Sequence, residues 1–206
     1  MANSTATRIA NTLPIDCLLG CSFPLTKESF RAVYDRYPPS DFFATQFSEL
    51  TGYSREDLWR EIYADFASDI SAGLSRIAGY GCRVIRDFTL RHLQEICGFK
   101  VFILFSHYNK MLNKLELSDG LYSKGDFAAA IPTYYTGIFD LTVCNSSLIR
   151  TEIKNTFPDN QVLSFGVEIE IIPGMLIHDQ LIQNLLKTEI NYLDSFMNTL
   201  EDLNIP

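Results

Sequence analysis

The sequence predicts an α/β fold of three layers, in which helices flank a mostly parallel central sheet. Two runs carry this prediction, because both are nearly continuous in apolar character and rich in β-branched and aromatic residues: 101–106 and 138–143. Helical patterns lie before, between and after these runs. At 206 residues the chain is long enough for one good core, which we assign to a single domain at 14–206 after a flexible tail at 1–13.

Local patterns predict the remaining elements of the domain. Short apolar runs predict strands at 15–22 and 161–167. The stretch 26–78 is predicted to be a helical insertion or lid beside the cleft, because a minimal connection between parallel strands needs fewer residues. Apolar residues at helical spacing predict one amphipathic helix over 84–97 and one long helix over 175–203.

Composition and charge exclude several classes of function. The formal net charge of −8 disfavours binding to nucleic-acid phosphates, which requires clustered Lys and Arg. The polar N-terminus lacks a signal-peptide core, and no later segment is long and apolar enough to span a bilayer. The five cysteines form no CxxC pair, and with the three histidines they show no zinc spacing. We therefore expect a cytoplasmic protein with no metal, cofactor, membrane or nucleic-acid partner.

A histidine and a cysteine follow the two buried runs directly. His107 comes after 101–106, and Cys144 comes after 138–143. Catalytic groups in open α/β sheets collect at the carboxyl ends of parallel strands, so neighbouring strands would bring these two residues together. An imidazole beside a thiol favours the thiolate, which is the attacking species. The sequence thus predicts a nucleophile with its base.

The order of these motifs resembles that of the caspase-like cysteine peptidases, most closely their bacterial CHAT branch. The shared features are the strand ending in His107, an acidic turn at Asp119-Gly120, a short helix at 124–131, and a strand closing on Cys144-Asn145-Ser146. The resemblance covers about 84–167. It implies a caspase-like domain that acts as a cysteine endopeptidase on a protein substrate, with a partner that activates or regulates it, as in bacterial defence systems.

The resemblance also implies roles for single residues. His107 would be the base and acid, Cys144 the nucleophile, and the backbone N–H groups of Cys144 and Tyr108 the oxyanion donors. Family members usually have glycine where this chain has Tyr108, so we expect a bulky side chain at the mouth of the site. Because basic-specific relatives often carry Asp two residues before the cysteine, where Thr142 stands here, the P1 preference stays open. The expected substrate contacts are Asp119, Asp140, Thr142, Asn145 and Ser146.

Two alternative functions fit parts of the same sequence. Cys144 and Arg150 satisfy the C-x5-R-[ST] spacing of cysteine phosphatases, although the loop lacks glycine and Leu148-Ile149 resemble a buried helix face. The domain could also be a catalytically inactive interaction module that binds through its acidic surface or through 26–78. The remaining cysteines and histidines are assigned structural positions: buried thiols for Cys17, Cys21, Cys82 and Cys97, and solvent-facing or capping sites for His92 and His178.

Overall fold

The computed structural model describes the chain in six stretches, which are residues 11–36, 55–109, 112–143, 146–164, 170–188 and 190–205. Several sequence-based expectations fall outside these residues. They are the tail at 1–10, the middle of the predicted insertion at 37–54, and the two residues Cys144 and Asn145.

Helices and strands alternate along the described chain. The strands are β1 (Cys17–Cys21), β2 (Arg83–Ile85), β3 (Val101–Asn109), β4 (Lys114–Leu117), β5 (Gly120–Tyr122), β6 (Ile138–Val143) and β7 (Val162–Ser164). The α-helices are α1 (Lys27–Arg36), α2 (Arg55–Leu58), α3 (Ala64–Gly79), α4 (Lys124–Ala130), α5 (Ser146–Thr156), α6 (Ile171–Lys187) and α7 (Tyr192–Asp202). A π-helical segment (Trp59–Tyr63) joins α2 to α3, and 3₁₀ helices cover Pro14–Asp16 and Leu90–Gly98.

The strands form one mixed sheet. β2, β1, β3, β6 and β7 run parallel in that spatial order. The last residues of β3, His107–Asn109, instead pair antiparallel with β4, and β5 continues antiparallel beside β4. The α/β class and the adjacency of the two buried runs are confirmed. The expectation of a mostly parallel sheet is wrong, because β3 extends past Ser106 into this hairpin.

The β4–β5 hairpin closes over the carboxyl end of β1. Ser22, which follows β1, donates a hydrogen bond from its Oγ to the Glu116 carbonyl oxygen at 3.0 Å. The Ser118 amide donates to the Phe88 carbonyl at 2.9 Å. Two residues, Ser118 and Asp119, connect β4 to β5 and precede Gly120, as is usual for a tight hairpin. The hairpin therefore occupies the edge of β3 that β1 leaves vacant.

Alternation along β3 sends its side chains into two separate cores, one on each face of the sheet. Residues Val101, Ile103 and Phe105 belong to the first core, with side chains from α1, α3, α6 and α7. Residues Phe102, Leu104 and Tyr108 belong to the second core, with side chains from the 3₁₀ helix, α4 and α5. The sheet is thus flanked by helices on both faces.

The described parts of 26–78 pack on the first core. Phe30 of α1, Tyr63 of the π-helical segment and Ile70 of α3 are all buried there with Phe105. Residues 27–36 and 55–79 are helical, as the spacing predicts. Because Phe105 and His107 have the same parity on β3, these helices cover the face towards which His107 points. The role of this stretch as a lid remains a prediction.

Two predicted helices differ from the structure. Residues 84–97 do not form one helix: Arg83–Ile85 is strand β2, and a 3₁₀ helix begins at Leu90. Between them Asp87 has a φ of 52°, a left-handed conformation that interrupts a helix. The chain uses this bend to lay Phe88 against the sheet, since Phe88 is buried in the second core.

The single helix predicted over 175–203 is two helices, α6 and α7. Thr188 has extended backbone angles and ends α6. Asn191 then caps α7, because its side chain accepts a hydrogen bond from the Asp194 amide at 2.9 Å. Both helices bury apolar residues in the same core, so helical spacing continues across the break and conceals it. Helix α6 also starts earlier than expected, at Ile171.

Gly20 provides a test of the packing between β1 and the segment after β2. A methyl group at Gly20 would lie 2.7 Å from Phe88 Cγ, well inside contact distance. We expect Gly20→Ala to lower the free energy of unfolding by about 1–3 kcal/mol, because the Phe88 ring must shift in a packed core. Urea denaturation measures this difference. At Gly79 on α3 a methyl group meets nothing within 4 Å, so Gly79→Ala should be neutral or stabilising. Equal effects of the two substitutions would contradict this packing.

Candidate functional site

The register between β3 and β6 pairs the two residues that immediately precede the positions singled out by the sequence. Ser106 of β3 partners Val143 of β6 in a parallel pair. His107 and Cys144 are the next residues on their respective segments. Cys144 and Asn145 lie outside the described residues, and for Thr142 only the backbone is described.

His107 lies inside β3 rather than after it. Its Cα partner across the antiparallel pair is Glu116 of β4. His107 is partly buried, and both of its ring nitrogens are shielded from solvent. The strand extends beyond His107 because β4 supplies an antiparallel neighbour where β1 has already ended. The imidazole is thus held on a rigid element.

Glu116 is a buried acidic residue directly opposite His107. Its side chain is 8 % exposed, and its Oε1 accepts a hydrogen bond from Asn109 Nδ2 at 3.3 Å. Its carbonyl oxygen accepts hydrogen bonds from the hydroxyl groups of Ser22 and Ser106. Tyr63 lies close enough to be affected electrostatically: burial, and then the neighbouring Cys21 and Glu116, raise the pKa of Tyr63 well above its ordinary value. Sequence reasoning missed Glu116 because the alternation of Leu115 and Leu117 in β4 was not recognised as a strand.

Tyr108 does not obstruct the side of the sheet on which His107 lies. Its ring is 1 % exposed, packs in the second core, and donates a hydrogen bond from Oη to Asn113 Oδ1. Adjacent residues of a strand point to opposite faces, so the rings of His107 and Tyr108 lie on opposite faces. The expectation of a bulky side chain at the mouth of the site is therefore wrong.

The other predicted site residues occupy different places. Asp119 is in the hairpin turn, where its Oδ1 accepts a hydrogen bond from the Leu90 amide at 3.3 Å. Ser146 is the first residue of α5 and is fully buried. Arg150, the residue of the phosphatase alternative, lies exposed on α5. Leu148 next to it is 42 % exposed, so it is not part of a buried helix face, whereas Ile149 is buried.

A cavity of about 230 Å³ opens beside the hairpin, between the end of β1 and α1. It is lined by Ser22, Pro24, Ser29, Ala32, Val33, Asp87, Thr89 and Ser118. Four of these residues carry hydroxyl groups and one carries a carboxylate. Since Ser22 also bonds to the Glu116 carbonyl, the cavity adjoins the strand that faces His107.

Asp140 belongs to a buried network instead of the expected substrate surface. The carboxylate is 1 % exposed, and its Oδ2 accepts hydrogen bonds from His178 Nε2 at 2.9 Å and Tyr192 Oη at 2.7 Å. His178 Nδ1 lies 2.8 Å from the Gly174 carbonyl oxygen. Both ring nitrogens of His178 therefore face acceptors, an arrangement in which the protonated imidazole donates from both nitrogens. The network ties β6 to α6 and α7.

Electrostatics within this network favour the ion pair. Burial lowers the pKa of His178, but the Asp140 carboxylate and the hydrogen bonds to Asp140 and Gly174 raise it by more, so it lies above its ordinary value. Burial, and then Asp140, raise the pKa of Tyr192 well above its ordinary value. The expectation that His178 faces solvent or caps a helix is wrong, because a helical pattern does not reveal which acid a buried histidine meets. His92 does cap, since its Nδ1 accepts from the Thr89 amide at 3.0 Å.

Three of the four cysteines that were predicted to be buried are buried in the structure. Cys17, Cys21 and Cys82 are buried, while Cys97 is only partly buried, and all four are free thiols. Burial raises the pKa of Cys21 and Cys82 to about 12. Burial also raises the pKa of Cys17 well above its ordinary value. These three thiols are therefore poor nucleophiles near neutral pH.

The Asp140–His178 pair predicts a pH-dependent stability. A histidine whose pKa is higher in the folded state stabilises that state fully below its unfolded value, about 6.5, and the contribution is lost as the pH rises through the folded pKa. We expect Asp140→Asn to lower the free energy of unfolding by about 3–5 kcal/mol below pH 6.5 and by less at alkaline pH. Urea denaturation over a pH series checks this. Asp69→Asn, at an exposed site on α3, is the control; a cost independent of pH would contradict the ion pair.

Comparisons with known proteins do not assign the chain to a family. No family model matches the chain, and neither a curated protein nor a solved structure shows significant similarity to it. None of the described helices combines the length and apolar character needed to cross a bilayer. In the same residues, no group of three His, Cys, Asp or Glu side chains is arranged to hold a metal ion.

Proposed function

We propose that the chain is a cysteine peptidase in which Cys144 is the nucleophile and His107 the base and acid. The observation that carries this proposal is the parallel register of β3 and β6, which aligns Ser106 with Val143. Consecutive Cα atoms are about 3.8 Å apart, so chain connectivity keeps Cys144 within a short distance of Val143. Residues at matching positions of parallel strands face the same side, and His107 and Cys144 directly follow the matched pair in the sequence.

The start of α5 supports a reactive thiolate at Cys144. Helix α5 begins at Ser146, two positions after Cys144, and extends to Thr156. The amide groups at a helix N-terminus carry partial positive charge and lower the pKa of a nearby thiol. This setting differs from that of Cys21 and Cys82, whose burial disfavours the thiolate.

The proposed reaction is acyl transfer from a peptide to water. The Cys144 thiolate attacks the carbonyl carbon, and backbone N–H groups of Cys144 and Tyr108 stabilise the oxyanion. The C–N bond then breaks, and the protonated His107 imidazole gives its proton to the leaving amine. Neutral His107 next takes a proton from water, which attacks the thioester and releases the acid and the thiol. The cavity beside the hairpin is a candidate pocket for a substrate side chain.

Access to His107 supports regulation by a partner. Both ring nitrogens of His107 are shielded, so a substrate reaches them only after the covering groups move. Helices α1 and α3 pack on the same face of the sheet and are candidates for that cover. We propose that a protein partner opens the site by displacing part of 26–78.

The same shielding favours a second candidate function. A domain that keeps its histidine covered in every state would act as a catalytically inactive interaction module. The two candidates differ in whether Cys144 reacts under the control of His107.

Alkylation of the thiols tests the peptidase proposal. With iodoacetamide at pH 7, we expect Cys144 to react before the partly buried Cys97, because a thiolate is the reactive form. His107→Gln should slow the reaction at Cys144 by about tenfold or more, since the ion pair with imidazolium is lost. Peptide mass spectrometry measures the modification of each cysteine.

Three controls accompany this measurement. Cys144→Ser should abolish the fast phase, and circular dichroism of His107→Gln should match that of the wild type. Arg150→Ala should leave alkylation unchanged, whereas a phosphatase site would lose vanadate protection of its thiol. A slow reaction at Cys144 that is indifferent to His107 would leave the interaction module as the better description.

A further inference from the structure

Glu116 is placed as the direct neighbour of the candidate base. It and His107 are Cα partners in the antiparallel pair of β3 and β4. Side chains directly opposite each other in such a pair lie on the same face, with Cβ atoms about 4.5–5.5 Å apart. Side chains with Cβ atoms this far apart can bring a carboxylate within reach of an imidazole, and the two then attract each other whenever the imidazole is protonated.

The surroundings of Glu116 fix its position. Asn109 Nδ2 donates to one carboxylate oxygen at 3.3 Å. The hydroxyl groups of Ser22 and Ser106 both donate to the Glu116 carbonyl, which locks this point of β4 against β1 and β3. Ser106 immediately precedes His107, so one tight contact links the backbone of the acid to the strand that carries the base. The carboxylate is therefore held by the sheet.

The face that Glu116 shares with His107 is shielded from water. Glu116 is 8 % exposed, Tyr63 is 1 % exposed, and the two ring nitrogens of His107 are covered. In such surroundings charges are weakly screened and act at greater strength than on the surface. Glu116 contributes, after burial and Cys21, to the raised pKa of Tyr63, as expected of a carboxylate close to that ring.

We propose that Glu116 is a positioning residue for His107, holding the imidazole on this face and stabilising its protonated form. The inference rests on the proposed function, in which imidazolium pairs with the Cys144 thiolate and later protonates the leaving amine. Glu116 touches neither substrate nor thiol in this role. It acts through His107 alone.

The other polar groups on this face have separate assignments. Tyr63 comes from the π-helical segment and Asn109 from β3 itself. Farther along the face, Asp140 of β6 is bound by His178 and Tyr192 from α6 and α7. Its charge is therefore balanced locally by a buried histidine. Among the described groups, Glu116 is the carboxylate paired with the position of His107.

Nuclear magnetic resonance of the histidine side chains tests the coupling without any substrate. The full chain has three histidines, and the His107 signal is assigned by its loss in His107→Gln. We expect Glu116→Gln to lower the titration midpoint of His107 by about one pH unit, because a negative charge is removed from beside the imidazolium. Glutamine can still accept the hydrogen bond from Asn109, so a structural role alone would not move the midpoint.

Two further variants make the result decisive. Glu95→Gln removes a carboxylate from an exposed site on the 3₁₀ helix and should leave the His107 midpoint unchanged. Glu116→Asp keeps the charge but shortens the side chain, so its midpoint should lie between those of the wild type and Glu116→Gln. It also serves as the test if Glu116→Gln fails to fold. Identical midpoints in the wild type and the Glu116 variants would overturn the inference.

Alkylation separates failure of this inference from failure of the proposed function. If both are right, Glu116→Gln lowers the midpoint and also slows iodoacetamide alkylation of Cys144 several-fold at pH 7. If the midpoint moves but alkylation does not depend on His107, the peptidase proposal fails and the coupling stands. If alkylation depends on His107 but neither the midpoint nor the rate responds to Glu116→Gln, the role of Glu116 is wrong and the peptidase proposal stands.

Discussion

The burial of β3 between two parallel neighbours is the constraint on which the rest of the structure depends. β3 pairs with β1 on one edge and with β6 on the other over nearly the same residues. Since both faces of the strand are also covered, a shift by one residue would exchange the two cores and expose neither set to water. The register is then set by how well the side chains pack within each core. That register decides which face receives His107 and which receives Tyr108.

Two buried carboxylates, Asp140 and Glu116, lie on the face of the sheet that carries the first core, and their charges are stabilised in different ways. Asp140 meets a buried histidine and a tyrosine, so its charge is neutralised where it lies. Glu116 sits near the carboxyl end of the parallel strands, beside side chains that can change their charge. The buried pair of Asp140 and His178 adds little to the net free energy of folding, because desolvation of the two charges offsets much of their attraction. Its main effect is to fix how α6 packs against β6.

The elements predicted correctly are those whose own sequence carries a long apolar run or a clear helical spacing of apolar residues. The apolar runs that became β3 and β6 were unambiguous, and so were the helical stretches around Phe30 and Ile70. The antiparallel hairpin was not predicted, because Leu115 and Leu117 give only one short alternation and their partners are set by where β1 ends. The break between α6 and α7 was hidden by a common core. His178 could not be assigned because its acid lies on another element, and only tertiary structure brings Asp140 to it.

The hairpin that carries Glu116 has a consequence for the order in which the site assembles. Asn109 and Glu116 are only seven residues apart, so the contacts between β3 and β4 close a short loop and carry little entropic cost. The pairing of β6 with β3 closes a much longer loop and belongs to the slow, non-local part of folding. His107 and Glu116, the proposed base and its acidic neighbour, can therefore come together as one local unit before β6 is in place. Under the proposed function, a newly made chain would hold its histidine in place while still unreactive, and reactivity would appear only once β6 has paired with β3.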